Sequence, residues 1–252
     1  VEAPYVIGLT GGIASGKTTA RRLLMDIAKS EGFDEQNEAE YNAQLAAAAE
    51  AGGTIQDDVS RGVVIELDCD KLAHEAYRKG TPAFAALVAA FGDSIVEATD
   101  EASLGEINRK ALGAIVFKDT AAMATLNSIA WPATAALAQA AIAASEARLV
   151  IMEAAVLLEA GWDSFVDEVW VVSAPHASVV ERLSARNGLS SEAAEARIAS
   201  QMAPEARVER AHVVLSSAFG EEDLQKQLVQ AYYGAECRAR RRLDDWDPPP
   251  GG

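Results

Sequence analysis

YVIGLTGGIASGKTT, residues 5–19, is the stretch on which the reading of the fold turns. Its first six residues form a short apolar run that stops at glycines, the pattern of a buried strand. Residues 17–29 then carry Leu23, Leu24 and Ile27 on one side at helical spacing. Between them, Gly11-Gly12-Ile13-Ala14-Ser15-Gly16-Lys17-Thr18 fits G-x-x-x-x-G-K-[ST]. Strand, glycine-rich loop and helix in that order predict a phosphate cradle. Glycines let the backbone wrap closely around an anion with its N–H groups pointing inward. The following helix offers its amino terminus, a preformed anion site. Lys17 then reaches the β and γ phosphates, and the Thr18 hydroxyl holds Mg²⁺. Gly11, Gly12, Ile13, Ala14, Ser15, Gly16, Lys17, Thr18 and Thr19 are the expected residues of a nucleoside triphosphate site.

Further strand signals lie at residues 62–67, 149–152, 168–173 and 212–216, with helical spacing between them. Alternating strands and helices imply an α/β chain with a parallel sheet covered on both faces. The expectation is a three-layer P-loop NTPase fold with a five-stranded sheet, in a single domain over residues 1–233. No strand stands out between the second and third. Turns at Gly80-Thr81-Pro82, Phe91-Gly92-Asp93 and Trp131-Pro132 punctuate that stretch, and Pro132 suits the first turn of a new helix. A helical subdomain is expected there, at about residues 75–135. Residues 31–60 read as an acidic insertion and residues 234–252 as a disordered tail.

The chain has 252 residues and a formal net charge of −16. A surface this acidic lacks the excess Lys and Arg that displaces counterions from nucleic acid, so nucleic acid is not an expected partner. Half of that excess comes from residues 31–60, with eight Asp or Glu and no Lys or Arg. Cys69 and Cys237 form no disulfide framework or metal spacing, which fits a reducing, cytoplasmic compartment. No stretch approaches the roughly 20 apolar residues of a membrane span. The chain opens without Met, so an upstream segment, including an organellar targeting sequence, stays open.

A second chemical signal is Asp68-Cys69-Asp70, where the second strand ends. Carboxyl ends of strands in an open parallel sheet face the ligand crevice. A carboxylate there can accept or orient the proton of a hydroxyl nucleophile. The alternative is a helix N-cap, since residues 71–79 look helical, and one of the two aspartates can fill that role.

Together these pieces resemble the dephospho-coenzyme A kinase family. The resemblance rests on residues 7–19, on Asp68-x-Asp70 with Leu72 and His74, on FGDSIV at 91–96, and on Asn108-Arg109-Lys110-Ala111-Leu112-Gly113. Val116-Phe117 and Leu126–Pro132 extend it. The later half, with EAAVLLEAGW at 153–162, EVWVV at 168–172, RNGLS at 186–190 and HVVLS at 212–216, looks closer to the kinase domain of the bifunctional coenzyme A synthases of animals.

The resemblance implies transfer of the γ-phosphoryl of ATP to the ribose 3′-hydroxyl of dephospho-coenzyme A, the last step of coenzyme A synthesis. Asp70 is then the base, with Lys17 and Arg186 completing the catalytic set. His74 and Arg109 join Asp70 in binding the acceptor. Residues 182–201 form a helical lid carrying Arg182, Arg186, Arg197 and Gln201, with Arg182 also on ATP. Arginines on a closing lid supply fixed, always-charged donors to phosphate oxygens, and closure expels water. Glu153 stands where the family usually has Asp, and with Thr18 it is the expected metal contact. An adenylyltransferase domain upstream, or as a partner, goes with the animal-type likeness. Two other readings stay open: a different P-loop nucleoside or nucleotide kinase, and a non-catalytic nucleotide-binding regulatory domain.

Overall fold

The computed structural model describes residues 3–30, 64–97 and 105–244. The insertion expected at 31–60 lies outside them. Two compact units emerge: one takes the described residues up to Leu67 and from Ser145 onward, the other Asp68–Ala144.

The first unit is built on a five-stranded sheet of β1 (Tyr5–Gly11), β2 (Val64–Asp68), β3 (Leu149–Glu153), β4 (Glu168–Ser173) and β5 (Val213–Ser216). Their order is β2-β3-β1-β4-β5, with β1 parallel to β3 and β4, and β4 parallel to β5. β1 is central, so its strand is apolar on both faces: Val6, Ile7 and Leu9 are all buried. Helix α1 (Lys17–Ser30) leaves the glycine loop and packs Leu23, Leu24 and Ile27 beside Ile7, Ile151 and Trp170. Buried leucines of this kind contribute roughly 1.5–3 kcal/mol each. Between β4 and β5 come α6 (His176–Asn187), α7 (Ser191–Ala199) and α8 (Pro204–Glu209), and the chain closes with α9 (Glu221–Asp244).

α9 departs from the expected disordered tail over 234–244. The helix runs through Gly234 because its inner face is buried: Tyr232, Ala235 and Ala239 join the core of α1 and the sheet. Two ion pairs hold its end. Arg148 pairs with Glu236 at 2.6 Å, and Arg238 Nη2 donates to Glu168 Oε2 at 2.9 Å. The buried Glu168 also accepts from Tyr5 Oη at 2.5 Å and Trp170 Nε1 at 2.8 Å. A run of four arginines beside aspartates reads as solvated sequence, while pairing with a buried carboxylate becomes visible only in three dimensions.

The second unit contains α2 (Cys69–Ala76), α3 (Pro82–Phe91), α4 (Arg109–Val116) and α5 (Thr120–Ala144). Its core gathers Phe84, Leu87, Ile95, Ile107, Leu112 and Val116. Local chemistry sets each helix start. Thr81 caps α3 by accepting from Phe84 N at 3.1 Å, and Asn108 caps α4 by accepting from Lys110 N and Ala111 N. Pro132 does not open a helix; it lies inside α5. The carbonyl it leaves without a helical donor belongs to Ser128, which is exposed, so water can satisfy it. Among the described residues no helix is long and apolar enough to cross a membrane.

Candidate active site

The glycine loop joins the central strand to α1, and its backbone conformation accounts for its sequence. A side chain at Gly11 would place a Cβ 2.6 Å from the Val172 carbonyl oxygen and 2.5 Å from Ser15 Oγ. Gly16 has φ +98°, in the left-handed region that favours glycine. Ala14 sits at φ +55° without being glycine, a strain of about 1–2 kcal/mol held by the surrounding contacts. α1 begins within the motif, with Ala20 N donating to Gly16 O at 2.9 Å. The hydroxyls of Thr10 and Ser15 are buried in this loop and its strand with no hydrogen-bond partner. A polar ligand in the cradle is the kind of group that would satisfy such atoms.

Charges converge on the first turn of α1. Lys17 Nζ donates to Glu153 Oε1 at 2.6 Å, and Arg21 Nε lies 2.8 Å from Glu153 Oε2. Arg21 also pairs with Glu66. Lys17 and Glu153 are largely shielded, at 14% and 10% side-chain exposure, so water screens their pair weakly. Thr18 is exposed at the helix start. A hydroxyl and a carboxylate are hard oxygen donors of the kind Mg²⁺ takes, so this set fits a magnesium nucleotide. Since a cation engages each Glu153 oxygen, the metal would meet Glu153 through water or by displacing one of them.

The lid arginines divide. Arg182 on α6 grips the loop itself: Nη1 donates to Ala14 O at 3.1 Å and Ser217 Oγ at 2.9 Å, and Nη2 to Ser217 O at 2.9 Å. Ser217 Oγ in turn donates to Ser15 O at 2.6 Å. Gln201 Oε1 accepts from Ile13 N at 2.8 Å. Arg186 and Arg197 are exposed and make no ion pair among the described residues. Glu195, on the same helix as Arg197, pairs with His176 at 2.8 Å.

In the second unit the two aspartates separate by role. Asp68 Oδ1 accepts from Asp70 N at 3.0 Å and Lys71 N at 3.1 Å, so Asp68 is the N-cap of α2. Asp70 is exposed in the first turn, and His74 lies one turn on along the same face. Arg109, the first residue of α4, places Nη1 3.0 Å from His74 Nδ1 and 2.8 Å from Nε2. The guanidinium thus sits against the imidazole, where its fixed charge opposes a second positive charge on the ring. Tyr77 meets the same ring edge-on at a centroid distance of 6.2 Å. Burial, and then the Arg109 charge, push the His74 pKa below its ordinary value, against the pull of Asp70, Glu75 and Asp68. Burial pushes the Tyr77 phenol up.

Four contributors escape a reading of motifs. Arg21 follows Lys17 by one helical turn, and Glu66 precedes Asp68 by one strand period, so periodicity could have found both. Ser217 follows β5 directly, at a strand's carboxyl end. The buried Arg207, paired with Glu159, carries no sequence signal.

A central-strand glycine loop with its lysine, threonine and acidic partner, on a five-stranded parallel sheet, defines the nucleotide site of a P-loop phosphotransferase. Comparisons narrow the class. A family model described as dephospho-CoA kinase matches residues 52–222. The dephospho-CoA kinase of Geobacter sulfurreducens is 36% identical over 230 residues, covering 90% of this chain and 96% of its own. That of Moorella thermoacetica is 33% identical over 252 residues, 98% of each. Among solved structures, TT1252 from Thermus thermophilus is 27% identical, with 92% of this chain and 98% of that one covered at a TM-score of 0.65. The dephospho-CoA kinase from Campylobacter jejuni, 23% identical at a TM-score of 0.58, shares the fold and covers the same fractions, 92% and 98%.

The chain belongs to the dephospho-CoA kinase family. These relatives are bacterial, and they give no support to the closer animal-type likeness expected from residues 153–216.

Proposed function

We propose that this chain transfers the γ-phosphoryl of ATP to the ribose 3′-hydroxyl of dephospho-coenzyme A, giving coenzyme A and ADP. Membership of the family carries the reading, and an intact G-x-x-x-x-G-K-T loop supports it. Lys17 neutralises the β and γ phosphates as charge moves onto the leaving oxygen. Thr18 and Glu153 would hold Mg²⁺ arriving with ATP, and the ion would supply further charge neutralisation. Arg182, already on the loop backbone, sits beside the nucleotide, and Arg186 and Arg197 are donors for the lid of residues 182–201 to bring to phosphate.

Asp70 takes the proton of the attacking hydroxyl. Asp68 caps α2, while Asp70 is exposed in that helix's first turn, which supports Asp70 as the aspartate for chemistry. His74, its pKa pushed down by burial and by Arg109, and Arg109 itself receive the acceptor, Arg109 from within a subdomain of about residues 75–135. A cytoplasmic location goes with this reading, with no disulfide among the described residues.

The test is ADP release with dephospho-coenzyme A, beside AMP, adenosine and no acceptor. Release only with dephospho-coenzyme A, with coenzyme A as product, is the expected result. Equal rates with AMP or adenosine would replace the reading with a nucleotide or nucleoside kinase, and ATP binding without transfer would make the chain a regulatory binding domain.

A further inference from the structure

We propose that Gln201 is a positioning residue of the phosphate cradle, and that the buried Arg207–Glu159 pair sets it in place. The inference deepens the proposed kinase reading and rests on ATP binding to the loop. Ile13 is the third residue of the G-x-x-x-x-G-K-T motif, and its N–H donates to Gln201 Oε1 at 2.8 Å. The same oxygen would lie 3.7 Å from a Cβ at Gly12, so the carboxamide rests against the front of the loop. A backbone amide has one proton, and this one is committed to a neutral acceptor supplied by the lid. The loop's shape and the lid's position are therefore linked through this bond at the lid's far end, as they are through Arg182 and Ala14 O at its start.

The far side of Gln201 is anchored with equal care. Its own N–H donates to Ile198 O at 3.1 Å as α7 ends, and the next carbonyl, Met202 O, accepts from Arg207 Nε at 3.4 Å. Arg207 is only 2% exposed, and its guanidinium forks onto both Glu159 oxygens in the turn after β3. Arg210 straps the same turn, donating to Leu158 O at 3.1 Å. Burying a guanidinium is costly, and apolar residues of the same volume are often no less stable. An apolar residue could not hold the Met202 carbonyl or fix the direction of the chain leaving Gln201. The sequence of contacts runs from the turn after β3, through Arg207 and Gln201, to the nucleotide loop.

The experiment follows the Ile13 amide in protein labelled with [¹⁵N]isoleucine, beside steady-state kinetics with ATP varied. Gln201→Leu keeps the volume and removes the acceptor. Ile13 should then exchange about 3- to 10-fold faster, and KM for ATP should rise by a similar factor with kcat less affected. Gln201→Glu should restore the slow exchange yet keep KM raised, because its charge opposes the triphosphate. The double variant Arg207→Met, Glu159→Leu should speed Ile13 exchange as Gln201→Leu does. If that variant does not fold, Arg207→Lys, which keeps the charge opposite Glu159 but loses the Met202 contact, should give the same result. Unchanged Ile13 exchange in Gln201→Leu overturns the proposal; parental exchange in a folded Arg207 variant overturns the role of the buried pair. A parent chain that binds no ATP would sink the kinase reading instead, while the exchange data would still judge this one.

Discussion

Replacing Glu153 by glutamine separates two roles for that carboxylate. In the structure Glu153 holds Lys17 at 2.6 Å and Arg21 at 2.8 Å, with the Lys17–Glu153 pair only 14% and 10% exposed. Nucleotide phosphates must compete with it for Lys17. At 2.6 Å and an effective dielectric of about 20, the attraction is roughly 6 kcal/mol before desolvation, and desolvation offsets most of it. Lys17 keeps its charge beside a glutamine, so a charge-assisted hydrogen bond survives and only the ion–ion part is lost, about half of the roughly 1.5–3 kcal/mol that such a bond nets. Glu153→Gln therefore weakens the hold on Lys17 by about 0.8–1.5 kcal/mol, a factor of roughly 4 to 12. Magnesium-free ATP should bind tighter by that factor in calorimetric titration. With magnesium present, kcat should fall, because Glu153 is one of the two residues proposed to hold the ion. Unchanged or weaker binding of magnesium-free ATP would refute the argument that Glu153 competes with phosphate for Lys17.

Asp70→Asn should cut turnover by orders of magnitude with ATP affinity nearly intact, whereas Asp68→Ala should lower stability by about 1 kcal/mol through the lost cap, read by denaturant titration. The His74 pKa is depressed, so its neutral form stabilises the fold above the ordinary histidine value of 6.5, and that contribution is lost as pH falls through the lower folded value. An NMR titration should show Arg109→Ala moving the His74 midpoint part of the way up, since burial is the larger cause. Tyr5 is raised to about 12 by burial and by Glu168, so its contribution is complete below pH 10 and lost as pH rises through 12. Ultraviolet titration of the five tyrosines should lose a step near pH 12 in Tyr5→Phe.

What was legible in the sequence is what short-range chemistry dictates. The glycine loop, its lysine and its threonine are adjacent in the chain, and the strand before it and helix after it are read from periods of two and 3.6. β4 spans Glu168–Ser173 as its apolar run implies, and the caps Thr81 and Asn108 follow from local side-chain oxygens. Pro132 was misread for an equally local reason. A proline is favoured in the first turn of a helix, yet α5 continues through Pro132, with the exposed Ser128 one turn before it.

The contacts that shape the cradle belong to another length scale. Gln201 meets Ile13 across 188 residues, Arg182 meets Ala14 across 168, and Lys17 meets Glu153 across 136. Nothing local distinguishes Arg182 from Arg186, four residues apart on α6, yet one is bound to the loop backbone and the other is exposed. The difference comes from where parallel strand order returns the chain. β4 lies beside β1, so the helix that follows β4 starts next to the loop that follows β1. The same neighbour relation puts Glu153, the last residue of β3, against α1. Sequence motifs name the groups that can hold a phosphate. The strand order β2-β3-β1-β4-β5 decides which distant groups hold the motif itself, and so which substitutions far along the chain should act on nucleotide binding.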